Sequence, residues 1–504
     1  MRILNAHPAA AITHSSHDHL GRLACAATLV LACASLSACL VGPNYRRPSV
    51  TTPPAFKEAA GWVPARPADE IDKGAWWSVF NDPVLDGLER KVQISNQTLA
   101  VAEAAYREAR AIVAEDRALL FPTVAITSSA TVTSGSATAT TGSGAAASGT
   151  AVSSSGATTR QYQVGAQASW APDLWGKIRR EIESARGTAQ ASAADIAYAQ
   201  LTVQSELAID YIALRMTDAE KLLLQREVSA YERSLVVTAD QYRAGTVSRS
   251  VLLTAQSTLN LAKGGLVDLD RLRTQYEHAI AVLIGQPPAD LTIEPIADWS
   301  PAPPPTVLEV PSTLLQRRPD VAAAERSAAA ANALIGVAVA AYYPDLTLSG
   351  SAGFASTALQ TLFNGPAALW SLGADATETV LDFGARRAAV AASRAAYDEA
   401  IATYRQTVLT AFQNVEDSLA AARVLQAEQA LDADAAAEAT QNVTITVDEF
   451  QAGTVDYTTV AAAEAIAVSA QVTELTVKAE RLTEAVDLIE ALGGGWSTAE
   501  LKSE

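Results

Sequence analysis

The stretch Tyr242-Arg243-Ala244-Gly245-Thr246-Val247 returns 208 residues later as Phe450-Gln451-Ala452-Gly453-Thr454-Val455. The same offset joins Trp175-Gly176 to Phe383-Gly384, Leu201-Thr202 to Leu409-Thr410 and Ile284-Gly285 to Leu492-Gly493. Four landmarks in one order at one spacing mean that the chain is a duplicated unit. Upstream, Phe121-Pro122 pairs with Tyr343-Pro344 at a longer offset, so the first copy carries 14 extra residues before its Trp-Gly. The surplus coincides with a low-complexity tract of Ser, Thr, Ala and Gly around 131–159, which reads as a loop between two strands.

Each copy begins its second element with period-two patterning. Tyr162, Val164, Ala166, Ala168 and Trp170 alternate with Gln161, Gln163, Gly165, Gln167 and Ser169, an apolar row on one face of a strand and an amide row on the other. The same alternation runs through Val124, Ile126 and Val132, through Leu346, Leu348, Ala352 and Phe354, and through Trp370, Leu372, Ala374 and Ala376. Four strands of about ten residues are predicted, the length that crosses a bilayer when tilted. Phe121, Trp170, Tyr343, Phe354 and Trp370 fall at or near their ends, where interfacial aromatics belong. A half-buried sheet in a water-soluble domain has the same pattern, so the helices decide between the two.

No proline occurs between Trp175-Gly176 and Pro287. Ile178, Ile182, Ala185, Ala189, Ser192 and Ile196 step by four and three, a heptad seam that Val390, Tyr397 and Tyr404 repeat in the second copy. A helix from Lys177 to about Tyr242 would hold about 66 residues and run roughly 100 Å, far beyond an ordinary globular helix. It turns at Ala244-Gly245-Thr246, with Ser248 as the next N-cap, and returns to about Ile284. The uncovered part of the long helix is left to one opening at Asp82-Pro83, an N-cap followed by proline at N1, and running to about Leu120. The second copy repeats this with helices from Asp320 to Tyr342, Ala385 to Gln451 and Asp456 to Leu492.

The organisation that follows is a signal peptide over 1–38, a proline-rich tether over 39–81, a first helix-strand-strand-helix-helix repeat over 82–286, a proline-rich linker over 287–311, a second repeat over 312–495 and a tail over 496–504. Leu36-Ser37-Ala38-Cys39, closing an apolar stretch, resembles a bacterial lipobox, in which the cysteine is acylated and becomes the first mature residue. Leu40 stands where Asp would retain a lipoprotein at the inner membrane, so release to the outer membrane is expected. Cys25 and Cys33 leave with the signal, and no disulfide can form within one mature chain. His7, His14, His17 and His19 leave too, so His278 is the one remaining imidazole, and zinc sites or catalytic triads built on histidine lose nearly all their members. The formal charge of −18 becomes −19 when Arg2, Arg22 and Asp18 depart, which repels nucleic-acid phosphates. No catalytic residue, metal or cofactor is expected beyond the lipid on Cys39, and no glycine-rich phosphate loop suggests an enzyme.

Four strands cannot span a membrane alone, because each open edge would leave backbone groups unpaired in hydrocarbon. Closure demands further chains. Three would give a twelve-stranded barrel continuing into a coiled-coil α-barrel. The predicted class is therefore mainly α with a membrane β-barrel portion.

Trp76-Trp77-Ser78-Val79-Phe80-Asn81-Asp82-Pro83, Arg317-Arg318-Pro319-Asp320-Val321-Ala322-Ala323-Ala324-Glu325, Ile335-Gly336-Val337-Ala338 before Tyr343-Pro344, and the two Ala-Gly-Thr-Val tips carry a family signature. From Cys39 to about Gly495 the chain resembles the TolC-like outer-membrane efflux family, in its lipoprotein branch of NodT and OprM type. The resemblance implies a homotrimer in the outer membrane, lipid-anchored, with a long periplasmic extension. It also implies docking to a periplasmic adaptor and an inner-membrane transporter of RND type, and passive exit of drugs and other small toxic compounds. Adaptor docking would fall on Gly245, Thr246 and Val247 and on Gly453, Thr454 and Val455, although the two glycines can equally be turn formers. Many members carry an Asp nine residues after the second tip glycine. Here that position is Ala462, and Asp456 and Glu464 are the nearby acids for a periplasmic constriction, each also readable as a solvated helix residue. Two alternatives share the architecture: a protein-secretion duct of type I, and a non-conducting trimeric coiled-coil scaffold, which leaves the strands unexplained.

Replacing Cys39 with Ser is expected to abolish incorporation of labelled palmitate, and membrane fractionation then shows whether assembly alone holds the protein at the bilayer. Continued labelling would overturn the lipobox.

Overall fold

The computed structural model describes residues 40–58, 75–135, 157–296, 299, 317–494 and 496. Cys39, much of the tether, the tract over 136–156, nearly all of the linker from 297 on and nearly all of the tail lie outside the described residues. The chain forms two compact units, one of Met1–Tyr45, Ala111–Ala185 and Ala330–Tyr397, the other of Arg46–Arg110, Arg186–Ala329 and Asp398–Glu504. Each takes elements from both copies of the repeat.

The first unit holds one antiparallel sheet in the order β1 (Thr123–Gly135), β2 (Ala157–Trp170), β3 (Asp345–Ser356) and β4 (Ala368–Thr377). Its register sets Val124 opposite Ala168, Ile126 opposite Ala166, Val164 opposite Phe354 and Leu348 opposite Ala374. All four apolar rows therefore share one face, and the Gln, Ser and Thr rows share the other, as the alternation requires. The apolar face is bare along the outer strands, where Ile126 is 83% exposed and Leu372 81%, and half-buried on β3, where Leu346, Leu348 and Phe354 lie. The 14 extra residues of the first copy fall between the start of β1 and the end of β2.

No pattern in the sequence announces how the chain just after Cys39 is held. Arg180, 1% exposed, donates from Nε to the Val41 carbonyl (3.1 Å) and from Nη2 to Gly42 O (3.3 Å) and Asn44 Oδ1 (2.9 Å). Asn332 donates to Pro43 O (3.0 Å), Val41 N–H donates to Trp175 O (3.2 Å), and Gly42 lies so close to Gly336 Cα that a Cβ has no room. Leu40 to Asn44 are thus strapped down beside the strand-to-helix junction at Trp175.

Among the described residues seven α-helices make up the rest: α1 (Pro83–Ser95), α2 (Gln97–Ala118), α3 (Lys177–Arg243), α4 (Arg249–Leu283), α5 (Pro319–Ala340), α6 (Ala385–Gln451) and α7 (Tyr457–Ala491). α3 and α6 have 67 residues each, α4 and α7 have 35, and α2 and α5 have 22, so the duplication holds to the residue. In the second unit α3 is backed by short helices through Leu207, Tyr211 and Leu214, which share one buried core with Trp76, Trp77, Leu85, Leu88 and Val92 and with Ile280 and Ile284. In α6, Tyr404, Val408, Phe412 and Leu419 meet Val321 and Leu488. Asp82 caps α1 as expected, accepting from Val84 N (2.8 Å) and Leu85 N (3.2 Å), and its other oxygen accepts the Tyr211 hydroxyl (2.7 Å).

One helix departs from the sequence reading. The segment expected to run unbroken from Pro83 to Leu120 breaks at Asn96, whose backbone is extended. Asn96 Oδ1 accepts from Leu99 N (3.0 Å) and starts α2, while its Nδ2 donates to Leu283 O (2.6 Å); Ser95 Oγ donates to Ile284 O (2.6 Å). Those carbonyls end α4 and have no partner within their own helix. The second copy solves the same problem at the equivalent place. The offset that carries Phe121 to Tyr343 carries Asn96 to Arg318, and the one that carries Gly245 to Gly453 carries Leu283 to Ala491. Arg318 Nη1 donates to Ala491 O (3.1 Å), while its guanidinium holds Asp320 at 2.7 Å. The Arg-Arg-Pro-Asp motif is a helix-end clasp.

Asn96→Ala is expected to cost about 1–2 kcal/mol, through the lost cap and an orphaned carbonyl. Arg318→Ala should cost about 3 kcal/mol, because Asp320 also loses its buried partner. Denaturant melts in detergent measure both.

Candidate functional site: two helix-hairpin tips and a buried acidic cluster

The turns at the two tips are built alike. α3 ends with Gly245 at φ +77° and α6 with Gly453 at φ +74°. Gly245 N–H donates to Tyr242 O and Thr246 N–H to Gln241 O, both at 3.0 Å; Gly453 and Thr454 do the same to Phe450 O and Glu449 O at 3.0 Å. Each threonine hydroxyl donates to that same second carbonyl, Thr246 to Gln241 O and Thr454 to Glu449 O, at 2.9 Å. A Cβ on either glycine would meet nothing within 4 Å, so only the positive φ selects glycine there. Three of the four shared tip residues follow from ending a helix, since alanine is itself a good helix former up to the turn. Val247 and Val455 are half-buried rather than exposed.

The tips differ in charge. Around the first stand Asp240, Arg243 and Arg249, with Arg243 paired to Asp240. At the equivalent positions the second tip has Asp448, Gln451 and Tyr457, with Glu449 and Asp456 added. One tip is weakly basic and the other strongly acidic. The starts of α4 and α7 differ accordingly. Ser248 occupies its N-cap position without a side-chain bond, whereas Asp456 Oδ1 accepts from Thr459 N (3.1 Å), Thr458 Oγ1 (2.6 Å) and Thr459 Oγ1 (3.0 Å). Those bonds hold the exposed Asp456 carboxyl below its ordinary pKa.

Glu464 lies two turns further along α7 and is not a solvated helix residue. It is 9% exposed, and one of its carboxyl oxygens has no hydrogen-bond partner. Burial, then the charge of Glu227, push it up to about 7, against the pull of Arg233. Tyr231, buried at 2%, shares a hydrogen bond with Glu227 and is raised by burial first. Tyr457, also 2% exposed, sets its ring edge-on to Phe450 at 6.3 Å, and its hydroxyl is pushed up to about 12 by burial and by Glu464. The cluster belongs to one pairing of helices only, since the positions 208 residues from Glu227, Tyr231 and Glu464 are Ala435, Ala439 and Gln256. Ala462, two residues before Glu464 in α7, is exposed.

A second buried acid has no place in the sequence reading. Glu89 of α1 is fully buried, neither carboxyl oxygen has a partner, and burial with the nearby Asp86 pushes it up to about 9. A signal for it exists: Leu85, Leu88, Glu89 and Val92 form one i, i+3, i+4, i+7 stripe with an acid on it.

Comparison with known proteins gives one answer throughout. The profile of the family described as outer membrane efflux protein matches residues 88–286 and 310–494. The pyoverdine export outer membrane protein OpmQ of Pseudomonas aeruginosa is 28% identical over 471 residues, 94% of this chain and 97% of that protein. The toluene efflux pump outer membrane protein TtgI of Pseudomonas putida is 30% identical over 346 residues, 68% of this chain and 72% of that one. Among solved structures, the outer-membrane channel OprN superposes with a TM-score of 0.82 at 28% identity, covering 91% of this chain and all of that one. The open state of the Neisseria gonorrhoeae MtrE outer membrane channel superposes at 0.76 and 26% identity, over 91% and 98%.

Glu464→Gln tests the buried cluster. A carboxyl whose folded pKa is raised contributes its full stability below about pH 4.5 and loses it as pH rises through about 7. The variant is expected to match the parent near pH 4.5 and to be more stable at pH 8 by about 1–2 kcal/mol, read from melts at the two pH values.

Proposed function

The chain belongs to the outer membrane efflux protein family, and from that premise we propose that three copies close one barrel, held by a lipid on Cys39 and met at its helix tips by a periplasmic adaptor. The protein is an outer-membrane channel of an efflux pump and not an enzyme. The sheet with two outer edges and one bare apolar face carries the oligomeric reading. In lipid each unpaired backbone group costs several kcal/mol, so four strands are viable there only when neighbours complete them. With the apolar face toward lipid, the Gln161, Gln163 and Gln167 row faces a water-filled lumen. The tether strapped by Arg180 favours the anchor on Cys39, because the residues that follow that cysteine run beside the strand-to-helix junction, close to where the headgroups of the inner leaflet would lie.

Energy comes from elsewhere, since the sequence carries no glycine-rich phosphate loop for a nucleotide. An inner-membrane transporter of RND type, reached through the adaptor, is the proposed source. Its cargo is small toxic compounds of the kind that the relatives' names state, solvents and antibiotics among them. Docking at the tips draws support from their opposite charges, which give a partner two chemically distinct contact points per chain. For a periplasmic constriction, Asp456 is the acid that remains at the surface.

The purified protein is expected to be a trimer that conducts ions across planar bilayers, and Val247→Glu with Val455→Glu should leave trimer and conductance intact at a stability cost of about 1 kcal/mol. Drug resistance in cells should nevertheless collapse, because each tip would carry a carboxylate in place of a half-buried valine, a charge that has to be desolvated wherever the adaptor grips. A monomer without conductance would overturn the channel reading; unchanged resistance at normal protein level would refute docking at the tips.

A further inference from the structure

From the internal duplication we infer the strand register and the aromatic contact by which β4 of one chain meets β1 of a second copy, with Leu372 opposite Val132 and Phe383 on Phe121. The inference rests on the proposed closure of the sheet by further copies, and it adds which residues meet.

The duplication relates β1 to β3 by the offset that takes Phe121 to Tyr343, and β2 to β4 by the offset that takes Trp175 to Phe383. It can be checked inside one chain. Val124 faces Ala168 and Ile126 faces Ala166 across β1 and β2. Adding the two offsets gives Leu346 facing Ala376 and Leu348 facing Ala374, which is the register observed across β3 and β4. The two hairpins are therefore related residue for residue.

The remaining pairing inside the chain, β2 with β3, has no equivalent in a single copy. Its equivalent joins β4 to β1, the two outer edges of the sheet, and these belong to different molecules in a ring. Val164 faces Phe354 and Ala166 faces Ala352. Carried through the same offsets, these become Leu372 facing Val132 of a second copy and Ala374 facing Ala130. The parity agrees independently, since Val132 and Leu372 lie on the same apolar face and are exposed at 63% and 81%. A shift of one residue would set apolar side chains of one copy against the polar row of the next.

A second observation points to the same contact. At the β2-to-α3 junction Trp175 stacks on Tyr343, centroids 4.8 Å apart and planes at 24°, and its Nε1 donates to Pro344 O at 2.8 Å. The equivalents of Trp175, Tyr343 and Pro344 are Phe383, Phe121 and Pro122. Phe383 is 93% exposed and Phe121 is 68% exposed. An aromatic pair left bare, where its counterpart in the other copy is stacked, is what a missing partner leaves behind. The second copy supplies it.

Cysteine pairs in the full-length chain test the register, with oxidation in isolated outer membranes and non-reducing gels. Leu372→Cys with Val132→Cys, and Gly373→Cys with Thr131→Cys, cover the two alternating kinds of antiparallel pair; Phe383→Cys with Phe121→Cys covers the aromatic contact. Each should give covalent species up to three chains, absent from the single-cysteine variants. Leu372→Cys with Ala130→Cys, displaced by two residues, should give at least fivefold less, because diagonal Cβ atoms lie beyond disulfide reach. A displaced pair that links best, in a protein of unchanged oligomeric mass, overturns the register and leaves the ring standing. A single-chain mass together with no interchain product at any pair overturns the ring itself.

Discussion

The outer edges of β1 and β4 carry backbone N–H and C=O groups that no described strand of the same chain pairs, and this obligation shapes the rest of the molecule. Water would satisfy those groups and hydrocarbon does not. A chain with one sheet bearing a continuous apolar face, Val124 and Ile126 through Leu372 and Ala376, can enter lipid only as part of a closed ring. The duplication makes closure geometrically simple. One hairpin shape, used twice per chain in identical register, tiles a cylinder without a special joint.

The helices inherit their constraints from the same duplication. Because α3 matches α6 and α4 matches α7 in length, the two tips end in the same turn, and the helix ends near Leu283 and Ala491 need the same outside donor. The two copies meet that need with different chemistry, an amide at Asn96 and a guanidinium at Arg318. Symmetry of backbone here coexists with divergence of side chains, and the divergence is greatest where charge matters: basic against acidic tips, and a buried Glu464, Glu227 and Tyr231 cluster against alanines and a glutamine.

Much of this is legible in the residues alone. The offset, the four strands and their faces, the Asp82 cap and the tip turns are all recorded in local pattern, which backbone geometry reads directly. What local pattern misses depends on contacts distant in sequence. Asn96 breaks a helix with no proline or glycine nearby, because the end of α4 reaches it from 187 residues away. Arg180 reads as a surface residue of a charged helix start until the tether covers it. Glu464 shares a buried stripe of α7 with Tyr457, Val460 and Ala467, and that this stripe meets the acid Glu227 and the hydroxyl of Tyr231 is a matter of tertiary contact that local pattern does not record.

The equality of the long helices sets rules for how such a chain can change length. Inserting one residue into α3 turns everything beyond it by about 100° and carries the buried stripe of Leu207, Tyr211 and Leu214 to the surface. Seven residues bring the stripe back to within about 20°. Length is therefore quantised, admissible in whole heptads, and a change in α3 has to be matched in α6 if both tips are to end at one level. The strand-to-strand connection alone escapes this rule, and it is there that the two copies differ in length.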